Sequence, residues 1–97
     1  MEAYNKSLAI FLELNDRLNV GMCYCKLGLC HDELGECAKA IGMLHKSVAI
    51  AVEVGDRSGE RDAYRILHVA HTGLGQASKA AEYKRKFESI SEELKRG

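Results

Sequence analysis

Apolar residues fall in stripes at helical spacing, and the stripes break at short polar or glycine-bearing turns. Tyr24, Leu27, Cys30, His31 and Leu34 share one helical face, and Gly35 follows as a left-handed cap. Ala40, Leu44, Ser47, Val48 and Ala51 form the next stripe, which ends at Gly55-Asp56, with Asp56 placed to cap a helix starting near Arg57. The pattern predicts five helices, at 2–14, 17–34, 37–54, 57–74 and 77–94. Connections of two or three residues force neighbours to run antiparallel, so the expected architecture is all-α, a solenoid of stacked helical hairpins in one domain, 1–97.

The stripes repeat. Sliding residues 17–54 onto 57–94 gives 11 identities in 38 positions without a gap, among them Arg17/Arg57, Tyr24/Tyr64, Leu27/Leu67, His31/His71, Ala40/Ala80, Lys46/Lys86 and Glu53/Glu93. Sliding 1–17 onto 41–57 adds Lys6/Lys46, Ser7/Ser47, Ala9/Ala49, Ile10/Ile50, Glu13/Glu53, Asp16/Asp56 and Arg17/Arg57. The chain therefore divides into a half repeat at 1–14 and full repeats at 17–54 and 57–94.

The repeating residues resemble the tetratricopeptide repeat family. Tyr24-x-x-Leu27-Gly28-x-x-His31-x-x-x-Gly35-x-x-x-x-Ala40-x-x-x-Leu44-x-x-Ser47 follows that pattern, and Tyr64, Leu67, His71, Gly75 and Ala80 repeat it; His68 and Phe87 depart from it at small-residue positions. The forty-residue period, joined by Gly55-Asp56-Arg57-x-Gly59-Glu60, is similar to the long-repeat branch seen in Leu-Gly-Asn-repeat modulators of G-protein signalling, although Lys26 and Ile66 stand where that branch has Asn. The resemblance implies a non-enzymatic scaffold that holds a peptide segment of another protein in a concave groove. Carried over position by position, the groove residues are Met22, Cys25, Lys26 and Leu29 from one repeat and Asp62, Arg65, Ile66 and Val69 from the next, with Asp32 and Thr72 further along. Lys26 and Arg65 are the anchors for a carboxylate, which points to an acidic segment. Arg57, Arg61 and Arg65 form a row at four-residue steps, and Glu60 and Asp62 are placed to neutralise part of it.

The ends differ. Lys84 and Glu88 replace Leu44 and Val48 on the last helix, leaving Ala80, Tyr83, Phe87, Ile90 and Leu94 to pack inward. The first helix carries Tyr4, Leu8, Ile10, Phe11, Leu12 and Leu14, more apolar surface than one neighbour covers. Three readings stay open for it: a segment of a longer array, self-association through Tyr4, Leu8 and Phe11, or a frayed terminal helix.

Composition narrows the chemistry. Apolar residues make up 46% and charged residues 29% of the 97, which fits neither a disordered chain nor a membrane-spanning one. Net charge is zero, but residues 1–56 carry five basic against eight acidic groups and residues 57–97 nine against six, so −3 faces +3. Basic residues interleaved with acids and without an aromatic platform argue against nucleic acid. The first ten residues lack a basic stretch followed by an apolar run, so a reducing, cytoplasmic setting is expected for Cys23, Cys25, Cys30 and Cys37. Cys23 and Cys25 lie about 200° apart around a helix and cannot face one ion. Cys23, Cys30 and Cys37 occupy positions filled by Ala63, Ala70 and Ala77 in the next repeat, so they read as small packing residues with no metal or redox role. No Ser or Cys with a His and an acid in one loop, no phosphate loop and no carboxylate pair in a predicted cleft is present to support catalysis, and no cofactor is expected.

Overall fold

The computed structural model describes residues 1–96 as five helices, α1 (Glu2–Glu13), α2 (Arg17–Glu33), α3 (Cys37–Val54), α4 (Arg57–Gly73) and α5 (Ala77–Arg96), with no strand among the described residues. The expected helix boundaries hold to within a residue, except that α5 runs two residues further because no glycine interrupts it before Arg96. Each helix packs on the next, and α2 also touches α4, so the array is a stack of antiparallel hairpins about 16 Å thick.

The turns explain the regularity. At Leu14-Asn15-Asp16, Leu34-Gly35-Glu36, Val54-Gly55-Asp56 and Leu74-Gly75-Gln76, the third residue's N–H donates back to the carbonyl of Phe11, His31, Ala51 or His71 at 2.8–2.9 Å. The middle residue must then be left-handed, with φ +78° at Gly35 and +55° at Asn15, a conformation that glycine adopts freely and asparagine tolerates. The turns within a repeat and those between repeats start the next helix differently. Between repeats, Asp16 and Asp56 accept from the N–H of Asn19 and Gly59 and cap the new helix. Within repeats the residue is Glu36 or Gln76, which turns back to His31 or His71 instead.

The core runs along the hairpin seams. Val20, Leu27, Leu44 and Leu67 are the largest wholly buried side chains, joined by Ala40, Ala63, Ile66, Ala70 and Tyr83. Truncating one of these leucines to alanine typically costs about 2–5 kcal/mol. The α2–α3 seam is close enough that a Cβ at Gly28 would stand 2.7 Å from Leu44 Cγ. In the last repeat the same position holds His68, which fits because Lys84 stands in place of Leu44; its Nδ1 donates to the Ala80 carbonyl at 2.9 Å.

Many of the repeated identities have a physical role. Arg17 makes a two-pronged pair with Glu53 at 3.0 and 3.1 Å, and Arg57 does the same with Glu93 at 2.8 and 3.0 Å, so each ties the start of one helix to the end of the next. Lys46 lies over the Tyr24 ring at 5.3 Å and Lys86 over Tyr64 at 5.4 Å. His71 stacks on Tyr83 at 5.3 Å, and Tyr64 stacks on the same ring at 5.9 Å.

The first helix has one covered and one open side. None of its residues is buried, and it packs on α2 alone. Leu8 and Phe11, candidates with Tyr4 for self-association, are half-buried and belong to the side turned to α2. The open side carries Ile10, 54% exposed, and Leu14, 68% exposed, with Tyr4 at its margin.

Candidate functional site

The exposed surface shared by α2 and α4 holds most of the expected groove residues. Met22 and Val69 are about half exposed, and Lys26 and Arg65 project into solvent without an ion pair among the described residues. Cys25 and Asp62 are half-buried between them. Burial, followed by the nearby Asp62 charge, pushes the Cys25 thiol up, so it remains protonated and a poor nucleophile.

Two expected members sit elsewhere. Ile66 is 3% exposed and lies in the core with Ala63 and Leu67; the periodicity of α4 itself, Ala63-Ile66-Leu67-Ala70, places it there. Leu29 is half-buried against the same cluster. Asp32 is half-buried, with its carboxylate 3.7 Å from Cys37 Sγ, and the Thr72 hydroxyl donates to the His68 carbonyl at 2.8 Å.

The row of three arginines is divided by its partners. Arg57 is held by Glu93 and by the buried Glu60, at 2.7 Å, and these bonds raise its pKa further above an already high value. Arg61 reaches Asp62 and the Ser58 hydroxyl. Among the described residues, Arg65 is the member of the row left without a carboxylate partner.

A notch opens where α2, the end of α3 and the start of α4 meet. It has a volume of about 290 Å³ and is lined by Leu18, Met22, Cys25, Lys26, Val54 and Asp62, among others. Leu18, Met22 and Val54 are 45%, 47% and 39% exposed, so its apolar wall faces solvent. Leu18 and Val54 were not expected here, since each reads in sequence as an ordinary apolar helix residue and only the α2–α3 hairpin, turning at Gly35, brings the start of α2 to the end of α3. The volume lies just under the lower end of ligand pockets, about 300 Å³, so the notch suits a single large side chain better than a nucleotide or cofactor.

The cysteines do not converge. All four are free, and no group of three His, Cys, Asp or Glu side chains among the described residues could hold a metal ion. Cys23 is 6% exposed with its thiol pushed up by burial. Cys37 packs at the end of α4, where a Cβ on Gly73 would stand 3.1 Å from its sulfur. Among the described residues no helix is long and apolar enough to cross a membrane.

No family model matches the sequence, and no curated protein matches it.

Proposed function

We propose that the chain is a tetratricopeptide-type interaction module that binds a peptide segment of another protein on the α2–α4 surface. One observation carries this reading: the notch of Leu18, Met22 and Val54 is lined by Lys26, and Arg65 acts on Cys25 of the same lining, both cations being without a carboxylate partner among the described residues. A matching segment inserts one large apolar side chain into the notch and presents a carboxylate to the two cations, whose attraction is stronger beside a low-dielectric wall than in open water. The forty-residue repeat and its turn glycines support the family assignment. Four unpaired thiols suit a reducing compartment such as the cytoplasm.

A panel of peptides pairing one bulky apolar residue with Asp or Glu at varied spacing, titrated against the ¹⁵N-labelled chain, tests the proposal. Saturable shifts at residues 18–26 and 54–65, lost in Lys26→Glu/Arg65→Glu, are the expected result. Shifts confined to other helices, or binding unaffected by the double reversal, would refute it.

A further inference from the structure

The first helix keeps the residues by which α3 grips α2. Four side chains of α3 hold its partner helix: Lys46 over the Tyr24 ring, Ser47 donating from Oγ to the Gly21 carbonyl at 3.0 Å, Ile50 against the bare Cα of Gly21, and Glu53 paired with Arg17. A Cβ at Gly21 would stand 2.9 Å from Ile50 Cγ2, so only glycine allows the approach. Forty residues earlier α1 carries Lys6, Ser7, Ile10 and Glu13, identical at all four positions. Lys6, Ile10 and Glu13 are exposed there, and Ser7 is half-buried. Ile10 is 54% exposed, the Lys6 side chain is 76% exposed, and Glu13 has no ion pair among the described residues. The helix α5 does not keep the set, because Phe87 replaces the serine.

We infer that the open side of α1 is a docking site for a single amphipathic helix, running antiparallel to α1, that carries Arg-x-x-x-Gly-x-x-Tyr in the places of Arg17, Gly21 and Tyr24. Glu13 takes the arginine, Ser7 the glycine carbonyl, Ile10 the glycine Cα and Lys6 the tyrosine ring. Charge and shape both select this occupant. A helix without the glycine stands off Ile10, and a helix without the arginine leaves Glu13 unanswered. A second copy of the chain does not supply the occupant. Its Arg17-x-x-x-Gly21-x-x-Tyr24 is already seated on its own α3, and the corresponding segment of α4 has Arg61 where the glycine is needed. The site lies on a different helix from the α2–α4 surface and does not depend on the function proposed for that surface.

The test uses the whole chain and a synthetic peptide of residues 17–34, with alanine for its three cysteines and a side-chain staple on its solvent face to hold the helix. The expected result is saturable one-to-one binding that shifts the resonances of α1. Glu13→Arg in the chain should weaken it by about fivefold, in keeping with the loss of an exposed ion pair and its replacement by repulsion. A peptide carrying Arg17→Glu should then recover the affinity against the Glu13→Arg chain. Absence of saturation overturns the inference. So does binding indifferent to Glu13→Arg, the outcome if the peptide displaces α2 from α3 or settles on the α2–α4 surface. Sedimentation of the unliganded chain as a dimer with α1 at the interface would also overturn it, since a second copy would then be the occupant.

Discussion

Nδ1 of His71 lies 2.6 Å from Oε1 of Gln76, and forty residues earlier Nδ1 of His31 lies 3.0 Å from Oε1 of Glu36. Both acceptors are oxygens without a proton to give, so Nδ1 donates the hydrogen and Nε2 is left to find its own partner. At His71, which is 7% exposed, that Nε2 is buried without a partner. Among the described residues the glutamine bond is therefore the sole polar satisfaction of a buried ring, whereas His31 stands nearer solvent and shares Glu36 with Lys39.

Gln76→Ala should accordingly cost about 1–3 kcal/mol, the usual penalty for stranding a buried donor. Glu36→Ala should cost less, because water can replace the lost oxygen. Urea denaturation of the two variants checks the order; equal losses would show that the His71 ring finds another partner.

Two glycines inside helices should respond oppositely to alanine. Gly28→Ala drives a methyl group to 2.7 Å from Leu44 Cγ, and overpacking of this kind costs about 1–3 kcal/mol. At Gly42 nothing lies within 4 Å of the added carbon. Gly42→Ala should stabilise by about 0.5–1 kcal/mol through the reduced entropy of the unfolded chain. Denaturant midpoints read both signs.

Acid should weaken the fold in two windows. Burial, followed by the nearby charges of His71, Lys79 and Lys86, holds His45 below its ordinary value, so the unfolded chain binds that proton more readily. Its contribution is present above about pH 6.5 and is lost as pH falls through the lowered folded value. Hydrogen bonds from Arg17 and Arg57 lower Glu53 and Glu93, while those from His31 and Lys39 lower Glu36, so these contributions disappear only below about pH 4.3. Stability measured from pH 7.5 to 5 should fall in the native chain and fall less in His45→Gln. Parallel slopes would remove His45 as the cause.

The two cross-helix arginines should not be equivalent. Removing Arg17 frees only the exposed Glu53, whereas removing Arg57 also strands the carboxylate of Glu60, which is 7% exposed. Arg57→Ala is expected to lower Tm more than Arg17→Ala, and the gap should persist at high salt because buried charges are screened least. The exchange Arg17→Glu/Glu53→Arg should recover most of the loss seen with Arg17→Glu alone.

The helices and their register were legible in the sequence because they depend on local signals: Gly35, Gly55 and Gly75 at turns, Asp16 and Asp56 at caps, and stripes spaced by three and four residues. The role of Ile66 was also written in its own neighbours, and the family position misplaced it because a groove assignment ignores which face a given helix buries. Leu8 and Phe11 posed a different difficulty. An apolar stripe shows that a face is covered, yet says nothing of which neighbour covers it, and for α1 only the packing on α2 separates the covered side from the open one. The notch at Leu18 and Val54 was out of reach for the same reason, since it is formed by three helices whose relative offset no single stripe encodes.

Because helices pack on their immediate neighbours, with α2 on α4 as the longest-range addition, the chain closes short loops one after another and never has to bring distant segments together. Cooperativity in such an arrangement is carried from helix to helix, and opening can begin at an end and stop at a seam. Amide exchange should therefore be graded rather than uniform: fastest in α1, which has a neighbour on one side only, and slowest in α3 and α4, where the wholly buried Leu44 and Leu67 meet.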